Sequence, residues 1–200
     1  MTIAGTPEKS GDTTHDSLLT SPGHGRPHPA QRQQNKKNQE SLLASGLDLR
    51  EVQVGIYGTR SDLHWYLEEI RELLDETKQH GSPGMAYELH YLESDAPGSP
   101  EVPEENQTSI AEMYEELPEQ WRDEHPGETP DNRSVFEVRV GILSTWEEYD
   151  YLNERLPLLI CPEPFHKGPC RMPWSVASCS SSVSPELRVY LEARYAHLRD

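Results

Sequence analysis

Residues 51–59 read Glu-Val-Gln-Val-Gly-Ile-Tyr-Gly-Thr, and residues 137–145 read Glu-Val-Arg-Val-Gly-Ile-Leu-Ser-Thr. Six of the nine positions are identical: Glu51/Glu137, Val52/Val138, Val54/Val140, Gly55/Gly141, Ile56/Ile142 and Thr59/Thr145. In each copy three β-branched residues alternate with other types, which is the period of a half-buried strand. Each copy ends at a small residue followed by Thr, and a helical pattern begins there.

After the first copy, Thr59 and Asp62 approximate a capping box, and Leu63, Tyr66, Leu67, Ile70, Leu73 and Leu74 follow at helical spacing. The run Gly81-Ser82-Pro83-Gly84 stops that helix, and Ala86–Glu93 alternates as a second strand. After the second copy, Thr145 and Glu148 form the full capping box. Trp146, Tyr149, Leu152 and Leu156 make the apolar face of the following helix, and Pro157 is expected to limit it. Residues 158–185 read as an irregular loop. Glu186–Arg194, with its echo of Glu88–Glu93, reads as the last strand.

The order is therefore βαβ, an intervening segment, βαβ. Its most economical fold is α+β: a ferredoxin-like βαβ–βαβ internal duplication, with a four-stranded antiparallel sheet and two helices on one face. The repeated strands are expected to be central, parallel neighbours. One domain over residues 49–198 follows, made of units 49–93 and 135–198. Residues 94–134 form an acidic, Pro-rich insert between them. Within it Ser109 and Glu112 form a capping box, and Ile110, Met113, Tyr114, Leu117 and Trp121 share a helical face. This short helix either packs on its own domain or docks in another protein's groove.

Residues 1–48 carry few large apolar side chains and cannot bury enough surface to offset ordering entropy, so a disordered tail is expected there. Across all 200 residues only 34% are hydrophobic and the net charge is −17. The excess is concentrated: residues 94–134 alone carry −10, and residues 1–49 are neutral. So negative a chain repels nucleic-acid backbones and anionic membranes, which leaves a basic protein partner or acidic mimicry of DNA. The amino terminus lacks the apolar run of a signal peptide, so a cytoplasmic location is expected.

Chemistry is sparse. No phosphate loop, dinucleotide fingerprint or nucleophile elbow is present, no cofactor is implied, and a non-enzymatic protein is the expectation. Cys161, His166, Cys170 and Cys179 are of zinc-binding type, but the C-x4-H-x3-C-x8-C spacing lacks a close CxxC pair. Thiols in a loop are the simpler reading. The strand-to-helix turns at Gly58-Thr59 and Ser144-Thr145 present helix N-termini to a possible small anionic ligand, although capping alone explains them. Gly55 and Gly141 fall mid-strand on the face away from the helices, where side-chain relief or a close neighbour is needed. That second face, lined by Gln53, Tyr57, Arg139, Leu143 and Tyr190, is expected to stand open and to dock a partner or a second copy of the chain. Trp65, off the buried stripe of its helix, extends the expected contact surface.

Overall fold

The computed structural model describes residues 46–98, 106–163 and 168–200. The tail expected to be disordered lies outside these residues up to position 45. The fold begins earlier than position 49, because Leu47 is buried and Asp48 opens the first strand. The strands are β1 (Asp48–Gly58), β2 (Ala86–Glu93), β3 (Ser134–Ser144) and β4 (Trp174–Ser180). The helices are α1 (Arg60–His80), α2 (Ile110–Met113), α3 (Glu116–Glu124), α4 (Trp146–Ile160) and α5 (Pro185–Tyr195), with a 3-10 turn at Ala196–Arg199.

One four-stranded sheet runs in the order β2-β3-β1-β4, and every neighbouring pair is antiparallel. The protein is thus α+β. The repeated strands β1 and β3 are central neighbours, as expected, but antiparallel rather than parallel. Val52 pairs with Val140 and Val54 with Val138. Neighbours in the antiparallel sheet expected for this order must run in opposite directions, so the parallel orientation expected for these two strands did not fit the sheet in which it was placed.

Val52, Val54, Ile56, Val138, Val140 and Ile142 are fully buried beneath α1 and α4. Burying each such side chain contributes about 1.5–3 kcal/mol. The buried residues of α1 are the six its spacing indicates, Leu63 to Leu74, and Tyr66 Oη donates to the Leu156 carbonyl of α4 at 3.0 Å. All three expected capping boxes, at Thr59/Asp62, Ser109/Glu112 and Thr145/Glu148, are formed in both directions. Pro157 does not end its helix: α4 continues to Ile160, and the Cys161 amide donates to the Pro157 carbonyl.

The carboxy-terminal quarter differs from the sequence reading. Glu186–Arg194 is not a strand but most of α5. Ser184 Oγ accepts from the Leu187 amide, Pro185 takes the first helical turn, and Leu191 and Tyr195, four apart, are buried. The fourth strand lies instead inside 158–185, the span read as irregular.

Candidate functional site

The second face of the sheet is covered, not open. α2 and α3 close one half through Ile110, Tyr114, Leu117 and Trp121, packed on Tyr57 and Val135. α5 closes the other through Leu191 and Tyr195, packed on Leu49 and Leu143. Of the residues expected to line a docking face, Tyr57, Arg139 and Leu143 are buried, while Gln53 and Tyr190 are half-buried. The reason is α5: once 186–194 is a helix, it must set its apolar stripe on something, and this face receives it.

Beneath this cover lies a buried polar cluster built from the repeat itself. The antiparallel register sets Glu51 opposite Gly141 and Glu137 opposite Gly55. Each glycine leaves room for a tyrosine ring: Tyr114 lies on Gly55 and Tyr195 on Gly141. Each tyrosine hydroxyl then donates to the carboxylate across from its glycine, Tyr114 to Glu137 at 2.7 Å and Tyr195 to Glu51. Tyr190 also donates to Glu51, at 2.9 Å. At the centre Gln53 faces Arg139, one of the three positions at which the two copies differ. Gln53 donates to Glu51 at 2.6 Å, whereas Arg139 donates to Glu137, to the Gly98 carbonyl and to Tyr190 Oη.

The electrostatics hold this cluster together as a lock. Burial, and then the facing carboxylates, push the Tyr114, Tyr190 and Tyr195 hydroxyls far above the ordinary tyrosine range. Burial works against the charge of Arg139, but Glu137 and the neighbouring groups outweigh it and hold the guanidinium above its usual value. The tyrosine hydroxyls keep their protons and direct them at carboxylates. The sequence carries one signal for this cluster: two identical glutamates stand on the same strand face as two identical glycines. Tyr114 and Tyr195 could not be tied to them without the register.

The two strand-to-helix turns are already occupied. The Asp62 and Glu148 carboxylates fill the helix N-termini at Thr59 and Thr145, and Glu148 also accepts from the Ser82 amide. Burial pushes both carboxyls up, but these bonds outweigh it and hold them below the usual range. Gly58 packs against Met172, and Ser144 is fully buried. Trp65 is half-buried, with the Arg171 guanidinium 3.9 Å from its ring centre. Of the zinc-type residues, Cys161 and Cys170 meet with sulfurs 3.8 Å apart, whereas Cys179 stands on β4 beside Glu51. His166 lies outside the described residues. Among the described residues, no three metal-ligating side chains come together.

Among the described residues, what remains unfilled is the outer edge of β4. The Tyr57 amide donates to the Pro173 carbonyl and the Ser181 amide to the Leu49 carbonyl. In an antiparallel ladder such bonded pairs alternate with unbonded ones, so residues 175, 177 and 179 bond to β1. The N–H and C=O groups of Trp174, Val176 and Ser178 therefore point outward, where among the described residues no strand pairs with them. Val176, Ala177 and Ser178 are exposed, and β4 carries no charge and no proline. The opposite edge, β2, is guarded: Glu88 pairs with His197 at 2.7 Å and Glu93 with Arg60 at 3.0 Å. Beside β4 on the second face is a hollow of about 230 Å³ lined by Gln53, Gly98, Ala177, Ser178, Cys179, Leu187 and Tyr190.

No protein-family model, curated protein or solved structure matches the chain. Among the described residues, no helix is long and apolar enough to cross a membrane.

Proposed function

We propose that the protein is a non-enzymatic interaction module that receives an extended segment of a basic protein partner as a fifth strand on the edge of β4. The single observation that carries this reading is the outer edge of β4, uncharged and, among the described residues, unpaired, on a protein whose other edge is charged and paired. Native sheets blunt such edges with charge, proline or a bulge, because a bare edge templates another strand. In strand addition the main chain supplies affinity and pockets for alternate side chains supply selectivity. The hollow beside Ala177 and Cys179 is suited to one such side chain, and its Gln53 and Tyr190 favour a polar one.

The partner's sign follows from charge. The chain carries −17, and on α4, which packs on β4, exposed Glu147, Asp150 and Glu154 outnumber the exposed Arg155, while α5 is balanced. A second copy of the chain would bring like charges together, while a basic segment would be steered in. We further propose that the scaffold is the ferredoxin-like arrangement arising from internal duplication, with residues 94–134 as an acidic insert. The strand order, the two βαβ halves and the shared six positions support it.

The test is a synthetic alternating Val/Thr peptide flanked by lysines, compared with an aspartate-flanked counterpart. Binding is read by fluorescence anisotropy and by amide hydrogen exchange. The lysine-flanked peptide is expected to bind and to slow exchange at Val176 and Ser178. Ser178→Pro removes an outward N–H, at a position where an edge strand tolerates proline, together with the Ser178 hydroxyl that bonds Tyr149, and is expected to abolish binding with the fold intact, whereas Ser178→Ala, which removes the hydroxyl alone, is expected to keep it. Unchanged exchange at both amides, or equal binding by the proline variant, overturns the proposal.

A further inference from the structure

A different part of the molecule carries a second, independent reading. Cys161 caps the carboxy-terminal end of α4 and is buried. Cys170 is half-buried, and its amide donates to Glu124 Oε2 of α3 at 2.9 Å. The two sulfurs lie 3.8 Å apart, against a hollow of about 320 Å³ that includes Pro162, Pro169 and Arg171 in its lining. A disulfide requires them to approach to about 2.05 Å, so the pair must close by less than 2 Å. Cys179, the third cysteine, sits against Glu51 on another part of the sheet.

We infer that Cys161 and Cys170 form a thiol–disulfide exchange site that accepts low-molecular-weight disulfides and closes into an internal crosslink. Cys170, the more accessible sulfur, attacks one sulfur of the incoming disulfide. That S–S bond breaks, one thiolate leaves, and a mixed disulfide remains on Cys170. Cys161 then attacks Cys170 Sγ and expels the second thiolate. Both cysteine protons end on the two released thiols, the protein loses two electrons and the small disulfide gains them. The new bond ties the end of α4 to the Cys170 segment held by α3.

Two chemical features shape the kinetics. The Cys170 thiol is pushed up to about 11 by burial and by Cys161, so exchange accelerates with rising pH as the thiolate fraction grows. Cys179 is pushed up to about 12 by burial and by Glu51, and its place on β4 sets it apart from the Cys161/Cys170 pair.

The test uses the full chain, reduced and then incubated with oxidised glutathione near pH 8, acid-quenched, alkylated under denaturing conditions and mapped by mass spectrometry. The expected product retains one alkylatable thiol, at Cys179, and a Cys161–Cys170 linked peptide. Formation is expected to speed up about tenfold per pH unit below the thiol pKa. Closing this short loop is expected to raise the melting temperature by about 5–10 °C. Cys161→Ser is expected to stop at a mixed disulfide with one glutathione on Cys170, and Cys179→Ser to leave the crosslink unchanged. Three remaining thiols, a crosslink through Cys179, or a glutathione adduct persisting on the unsubstituted chain overturns the inference.

Discussion

Gly141→Ala is the most direct probe of the buried lock. In an ordinary strand, replacing glycine by alanine gains about 0.5–1 kcal/mol, because the unfolded chain loses freedom. Here a Cβ would overlap the ring of Tyr195, which is fully buried and cannot retreat into solvent without leaving its site. Forcing an extra carbon into a packed interior costs about 1–3 kcal/mol. If the ring tilts away, its hydroxyl leaves Glu51, and a hydrogen bond to a charged group is worth about 1.5–3 kcal/mol. The expected net effect is a destabilisation of about 2–5 kcal/mol, opposite in sign to the ordinary substitution. Urea unfolding followed by circular dichroism measures it; with a slope of about 2 kcal/mol/M the midpoint falls by about 1–2.5 M. The double variant Gly141→Ala/Tyr195→Ala isolates the contact. Once the ring is gone, the added methyl group should cost nothing or stabilise. A Gly141→Ala protein as stable as the original would refute the assignment of Gly141 to ring clearance.

Tyr114→Phe is expected to lose about 1.5–3 kcal/mol, because Glu137 is left short of a donor in a buried site. Its ring still covers Gly55, so the fluorescence of Trp121 in the same cluster should keep its buried emission; a shift to the red would mean that the hydroxyl, and not the ring, holds α2 and α3 down. The pH response follows from the two capping carboxyls. Asp62 and Glu148 have depressed values in the folded state, so their stabilisation is complete above the unfolded value of about 4 and is lost as pH falls through the lower folded value. Glu148→Gln should therefore flatten the fall of melting temperature between about pH 5 and pH 2; an unchanged acid limb would mean the loss arises elsewhere.

Where side chains alternate strongly, the fold was legible. β1, α1, β2, β3 and α4 each present an apolar stripe to one core, and α1 begins and ends where Thr59 and Gly81 indicate. β4 was not legible because its stability comes from the ladder to β1, not from side chains: Trp174 and Val176 are its only large apolar residues, amid serine and alanine. For α5 the signal was present, as Ser184-Pro185-Glu186 is a helix start and Leu187, Leu191 and Tyr195 recur every fourth residue. The likeness of 186–192 to 88–93 points to a strand instead, but a shared string of residue types does not fix backbone conformation. The polar cluster required the register, because Tyr114 and Tyr195 are remote in sequence from the glutamates they serve. The bare edge of β4 could not be read before β4 itself was found.

The pairing of Gln53 with Arg139 has a further implication. These are equivalent positions of the two copies, facing one another in the antiparallel ladder, so an approximate rotation axis passes between them. Any side chain on such an axis confronts its own counterpart. Two arginines there would oppose like charges inside the protein, and two glutamines would leave Glu137 without its cationic neighbour. The two βαβ units are thus not interchangeable: one supplies the cation, the other an amide, and a chain assembled from either unit twice over would lack a complete interior.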